Sequence, residues 1–244
     1  MVGLGTIVNV AAIMFGSTIG IVVKDGLKKR FQDIIMSALG LAVLFIGVSG
    51  ALQGLLAVSE SGLKTTNVML MIVSLAVGGI VGEMIDIEAG LDRLGERIKN
   101  SLKVKGEKGA NFVEGFVNSS LLFCVGAMAI VGSLNDGLSG DADMLYAKAF
   151  IDGTVAIVLA STLGIGVLFS VIPLGIYQGL ITVSAKYIEP FLSDQLITNI
   201  SFIGSILIFG IGINMMFGKK IKCGNLLPAV LVPVAYEFIT KLLK

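Results

Sequence analysis

Seven stretches of this chain run without a single Asp, Glu, Lys or Arg: residues 1–23, 34–59, 65–82, 115–135, 153–185, 195–218 and 223–236. A bilayer core of about 30 Å needs roughly 20 apolar residues per helix, so most of these runs are long enough to cross. Apolar residues follow one another within them instead of alternating, which excludes a β-barrel; lipid leaves the helix as the only way to satisfy the backbone. The run 153–185 is too long for one straight crossing, since 33 residues make a helix of about 50 Å. Pro173, Gly175 and Gly179 interrupt it. Either a tight hairpin turns near "VIPLG" (171–175), giving eight helices, or one broken helix gives seven. The eight-helix reading is taken, because each "STIG"-like run then descends in the same direction and is followed by a returning helix.

Charges gather between the runs. The segments "KDGLKKRFQDI" (24–34) and "IEAGLDRLGERIKNSLKVKGEK" (87–108) set apolar residues such as Leu91, Leu94 and Ile98 at helical spacing among charged ones. They predict amphipathic helices on the inner membrane surface, with their cations toward anionic lipid. The expected fold class is all-α: one integral membrane domain over 1–244, a polytopic transmembrane bundle with short amphipathic cytoplasmic helices.

The pattern also repeats. Residues 12–23 and 156–167 match at Ala12, Ile13, Ser17, Thr18, Gly20, Ile21 and Val23, and "VGGIVGE" (77–83) is a third variant. Gly16 and Gly20, Gly78 and Gly82, and Ala160 and Gly164 are each four apart, hence on one helix face. Small residues let helices approach closely where lipid gives no hydrophobic push, so these stretches read as packing faces. Duplicated hairpins near 1–57, 67–138 and 150–190 are the expectation. Many transporters are built from such repeats.

Composition agrees: hydrophobic residues make up 55%, charged residues 14%, and the mean hydropathy is +0.94. Lys24, Lys28, Lys29 and Arg30 follow the first run, and Arg93, Arg97, Lys99, Lys103, Lys105 and Lys108 follow the third. The positive-inside rule puts both loops in the cytoplasm and the N-terminus outside, in a cell (inner) membrane. The opening "MVGLGTIVNV" has no basic n-region, so the first run reads as a retained helix and not a cleaved signal. Cys124 and Cys223 have no CxxC spacing and read as packing residues. Nothing points to nucleic acid. Small-residue faces can pack within one chain or between chains; a bundle this small has little interior, so a homo-oligomer in lipid is the expectation.

Polar residues inside apolar runs carry what chemistry there is, because a carboxylate at the bilayer centre costs roughly 2.5–3.5 kcal/mol on insertion scales and needs a reason. The densest set runs through "GFVNSSLLF" (115–123), "GSLNDGLSGDAD" (132–143) and "KAFIDGTVAIVLAST" (148–162). Asn118 and Ser119 lie near one end of the fourth run, and Asn135 and Asp136 at the other. Asp152 opens the fifth, with Ser161 and Thr162 further along it. Asn9 and Gln178 are further interior amides. Such oxygens suit hard cations, giving a solute path from an acidic mouth past Asp152. The competing reading is local: Asp136 in an Asn-Asp-Gly turn, Asp152 at a helix start, hydroxyls bonded to their own backbone. No cofactor, metal centre or catalytic set is indicated. The chain has no histidine, the commonest general base, and no nucleophile motif or phosphate-cradling loop, so it does not read as an enzyme.

The segments "VGSLNDGLSGD" (131–141), "IDGTVAIVLASTLGIGV" (151–167) and "GNLLPA" (224–229) resemble the YqgA/YdfK-like bacterial membrane proteins, domain of unknown function 554. The resemblance covers nearly the whole chain and implies a multi-pass cell-membrane protein. It brings no substrate, cofactor or catalytic residue. Two functional expectations remain: a transporter or channel for a small solute, a cation first, or a scaffold or sensor subunit that binds a partner through its amphipathic segments.

Overall fold

The computed structural model describes residues 2–24, 28–59, 62–103, 111–189 and 193–242. Lys105 and Lys108 of the second basic loop lie outside them. The helices are α1 (Leu4–Lys24), α2 (Lys29–Leu55), α3 (Val68–Ile85), α4 (Ile87–Ser101), α5 (Phe112–Cys124), α6 (Ala127–Ser139), α7 (Asp143–Leu163), the short α8 (Gly166–Phe169), α9 (Val171–Ile188), α10 (Asp194–Phe217) and α11 (Val232–Leu242). A 3-10 turn, Leu227–Leu231, precedes α11. Among the described residues the fold is all-α apart from one hairpin, in which β1 (Leu56–Ser59) pairs antiparallel with β2 (Gly62–Thr65). Its residues alternate or are exposed, and the helix pattern of the preceding run hid it.

Among the described residues six helices are long and apolar enough to cross a membrane: Leu4–Val23, Lys29–Leu55, Val68–Ile85, Asp143–Leu163, Gly166–Tyr187 and Asp194–Phe217. The pair α5 and α6, bent by 61° at its break, makes a seventh if taken as one span. The expectation of eight is therefore not met, and the deficit lies in the last run. Its two prolines fall at the start of the 3-10 turn and in the first turn of α11, where a missing N–H costs nothing, and the remaining apolar helix is too short. The long run 153–185 does divide into two helices. The turn comes at Gly164, seven residues before the expected "VIPLG", because Gly164 sits at φ +80, a left-handed conformation that a side chain resists. Pro173 lies in the first turn of α9.

The chain forms two compact units, each assembled from separate segments: 1–39, 90–124 and 128–191 in the first, and 40–89, 125–127 and 192–244 in the second. In the first unit α1 and α7 lie side by side and parallel. A Cβ on Gly5 would meet Leu145, one on Gly16 the Gly153 carbonyl, and one on Gly20 the Ile157 carbonyl and Ala160. The small faces of the two look-alike stretches are thus in contact. Phe112, Phe116, Leu145, Leu159 and Leu174 fill the rest of this core.

In the second unit α2 runs antiparallel to α10, with Gly40 against Met216, Gly47 against Phe209 and Gly54 against Phe202. The glycine face of α3 takes the backbone of the 225–229 segment, at Gly82 and Gly78. Phe202, Ile203, Leu207 and Ala229 make the core there.

Candidate functional site

Four polar side chains meet inside the first unit. Asp152 on α7 accepts hydrogen bonds at Oδ2 from Lys148 Nζ (2.6 Å) and from Asn9 Nδ2 (3.1 Å). Asn9, on α1, also directs Nδ2 at Gln178 Oε1 of α9, at 3.4 Å. Asn9 and Gln178 are 0% exposed, Lys148 and Asp152 each 6%. Parallel packing of α1 on α7 puts Asn9 beside Asp152, and the i,i+4 spacing puts Lys148 one turn from it. Among the described residues Asn9 Oδ1 and Gln178 Nε2 have no hydrogen-bond partner, nor have the buried hydroxyls of Thr6, Ser17, Ser119, Ser133 and Thr182 in this unit or of Ser74 in the other. Buried polar atoms in folded chains are nearly all paired, so two orphans on neighbouring amides need an explanation.

Asp152, Asn9 and Gln178, singled out in the sequence from three distant places, converge. The missing member was Lys148, which reads as a loop charge because it falls between two apolar runs; its spacing from Asp152 was the available signal. Asp136, fully buried on α6, accepts from the backbone N–H groups of Gly3 (3.0 Å) and Gly5 (3.1 Å). It satisfies orphan donors at the start of α1 and complements that helix's positive end. Since Gly5 and Asn9 are four residues apart, the two carboxylates touch α1 about 6 Å apart along its axis. Thr6 lies between them.

The other expected positions do not join this group. Ser161 Oγ donates to Val158 O (2.8 Å) and Thr162 Oγ1 to Leu159 O (2.9 Å), both within α7. Asn118 is half-buried on α5 and Ser119 fully buried beside it. Asn135 is half-buried, its carbonyl taken by Ser139 Oγ. Of the expected acidic mouth, Asp141 and Asp143 are exposed, and Asp141 Oδ1 accepts the Asp143 N–H at the start of α7.

A second polar group holds the segment after α10 in the second unit. Asn214 Oδ1 accepts from the N–H groups of Lys220 (2.8 Å) and Ile221 (2.9 Å), while its Nδ2 donates to Ile221 O (2.7 Å). Asn225 accepts the Glu88 N–H (2.7 Å) and donates to Glu83 (2.7 Å). Buried Glu88 takes the Gly224 N–H (3.0 Å) and pairs with Lys219 (2.8 Å); Glu83 pairs with Lys222. The hydrogen bond to Glu83 holds the Lys222 ammonium above its usual 10.5, and burial pushes the Cys223 thiol up to about 12. These side chains are mutually satisfied and brace the turn. Asn214 and Asn225 carry no sequence signal beyond being polar in apolar surroundings. Among the described residues no three His, Cys, Asp or Glu side chains gather as a metal site would require.

The model of a family described as a protein of unknown function, DUF554, matches residues 4–238. The uncharacterized membrane protein YdfK of Bacillus subtilis (strain 168) is 36% identical over 235 residues, which is 96% of each chain. The uncharacterized protein YqgA of Escherichia coli (strain K12) is 29% identical over 231 residues, 94% of each. No solved structure matches. With a family match over nearly its whole length and a relative of that identity and coverage, this multi-pass membrane chain belongs to the DUF554 family.

Proposed function

We propose that the protein is a transporter or channel for a small solute, a cation first, and that Asp152 is the carboxylate the solute meets. The observation that carries this reading is the buried Lys148–Asp152 pair with its two amides, in helices of membrane-spanning length. Two charges out of water are expensive, and replacing such a pair by well-packed apolar residues is often neutral or better. Ionisable groups inside membrane proteins therefore mark pathways more often than they add stability. The unpartnered amide atoms of Asn9 and Gln178, beside the pair, support the same reading, since a passing polar solute would satisfy them.

The test places purified protein in lipid vesicles with a salt or pH gradient across the membrane and a voltage-sensitive dye outside. Cation passage through the wild type develops a potential that Asp152→Asn does not. A dye response no different from that of empty vesicles under every gradient removes the transport reading. The protein is then a scaffold or sensor whose amphipathic α4 binds a partner.

A further inference from the structure

The amide orientations in the cluster are fixed, and they constrain what the interior can hold. Asp152 accepts from Asn9 Nδ2, so the opposite edge of that amide is Oδ1. The same Nδ2 faces Gln178 Oε1, so Gln178 turns Nε2 away. Flipping Asn9 would set its oxygen against the Asp152 carboxylate and the Gln178 oxygen. Flipping Gln178 would set N–H against N–H. What remains is one bare acceptor, Asn9 Oδ1, and one bare donor, Gln178 Nε2, both on fully buried residues. Thr6, Ser133 and Thr182 add unpartnered buried hydroxyls, each able to donate and accept.

A bare metal ion satisfies acceptors only. It would leave Gln178 Nε2 unpaired, and at Asp152 it would meet the Lys148 ammonium. Water satisfies every one of these atoms, donating to Asn9 Oδ1 and accepting from Gln178 Nε2. We propose that the cation handled by this interior is the proton, passed along a line of water and hydroxyl groups that reaches Asp152. This rests on the transport reading above and narrows it to one ion. A proton adds to the carboxylate itself and needs no coordination shell.

The step balances simply. A hydronium in the line gives a proton to an Asp152 oxygen: one O–H bond breaks on hydronium, leaving water, and one forms on the carboxyl group. Release reverses this onto another water. Lys148 keeps its own protons and re-forms the ion pair once Asp152 is ionised again. Other titratable groups facing the interior are Asp136 on α6, tied to the start of α1, and Cys124 on α5, within electrostatic reach of Lys148 and Asp152. Tyr177 of α9 lies within reach of Cys124.

The experiment uses the full chain in vesicles loaded with a pH-sensitive dye, with an inside-negative potential imposed by a potassium gradient and valinomycin. Wild-type vesicles are expected to acidify at least tenfold faster than vesicles with Asp152→Asn or empty ones. Asp152→Glu, which keeps a carboxyl at a shifted position, restores part of the flux that Asp152→Asn loses and separates loss of chemistry from loss of fold. Gln178→Leu, which keeps the ion pair but removes the bare donor, slows it about tenfold. Sodium or potassium uptake without acidification overturns the proton assignment and leaves the transport reading standing. Acidification unchanged in Gln178→Leu overturns the water line. Passage of no cation at all removes both.

Discussion

A lysine one helical turn from an aspartate is ordinary on a wet helix, where such a pair is worth a few tenths of a kcal/mol. At Lys148 and Asp152 the same spacing is buried, which inverts its meaning. Removing one partner leaves an uncompensated charge, so Lys148→Met should cost about 3–5 kcal/mol, while Lys148→Met with Asp152→Leu should recover most of it. Thermal unfolding of the detergent-solubilised variants checks this; a double variant no better than the single means the pair carries no such penalty. Asp136→Ala leaves the Gly3 and Gly5 N–H groups without their acceptor and should cost about 1–3 kcal/mol in the same assay. Cys223, with its thiol at about 12, should resist maleimide at neutral pH in a Cys124→Ala background and label only after denaturation.

The sequence could be read for Asn9, Asp152 and Gln178 because a polar letter in an apolar run stands out. At Ser161 and Thr162 it left two readings open, and there the hydroxyls bond back to their own helix. Letters carry polarity; whether a hydroxyl turns inward or back is set by rotamer and neighbours.

Helix identity followed from charge-free length, and helix breaks did not. Gly126, at φ +139 between α5 and α6, and Gly164 at the end of α7 are two glycines among 32, and nothing local distinguishes them. Packing faces were easier, since small residues four apart announce close approach. Gly16→Ala drives a methyl into the Gly153 carbonyl and should destabilise by several kcal/mol or prevent assembly, whereas Gly90→Ala in α4 meets open space and should stabilise by about 1 kcal/mol. Equal effects of the two would mean that α1 and α7 are not in contact at Gly16. The brace after α10 titrates at its exposed end. Lys222 is held above its usual 10.5, so on the lysine side the stabilisation is fully present below that value and lost as pH rises past it. The melting difference between wild type and Lys222→Gln should stay small and constant between about pH 6 and 9, and disappear in stronger alkali as Lys222 loses its proton and in acid as Glu83 gains one.

Over the whole molecule, the two units are built from segments that leave and re-enter each other in sequence, so no single stretch contains either one. Linear reading, which finds runs and hairpins, had no means to sort them into units. Orientation rests on Lys and Arg alone. The positive-inside rule predicts Lys29, Arg30, Arg93, Arg97 and Lys99 in the cytoplasm, so a tag on the N-terminus should be reached by protease from outside intact spheroplasts, and protection of that tag would reverse the prediction.

The parallel contact of α1 and α7 sets a clock on synthesis. Asn9 and Asp152 are 143 residues apart, and at roughly 5–20 residues per second the ribosome takes about 7–30 s to make the second after the first. Through that interval α1 has neither its buried carboxylate nor the glycine of α7 against which it packs. The packing of α1 is therefore completed only once the middle of the chain has been made, however early its own residues leave the ribosome.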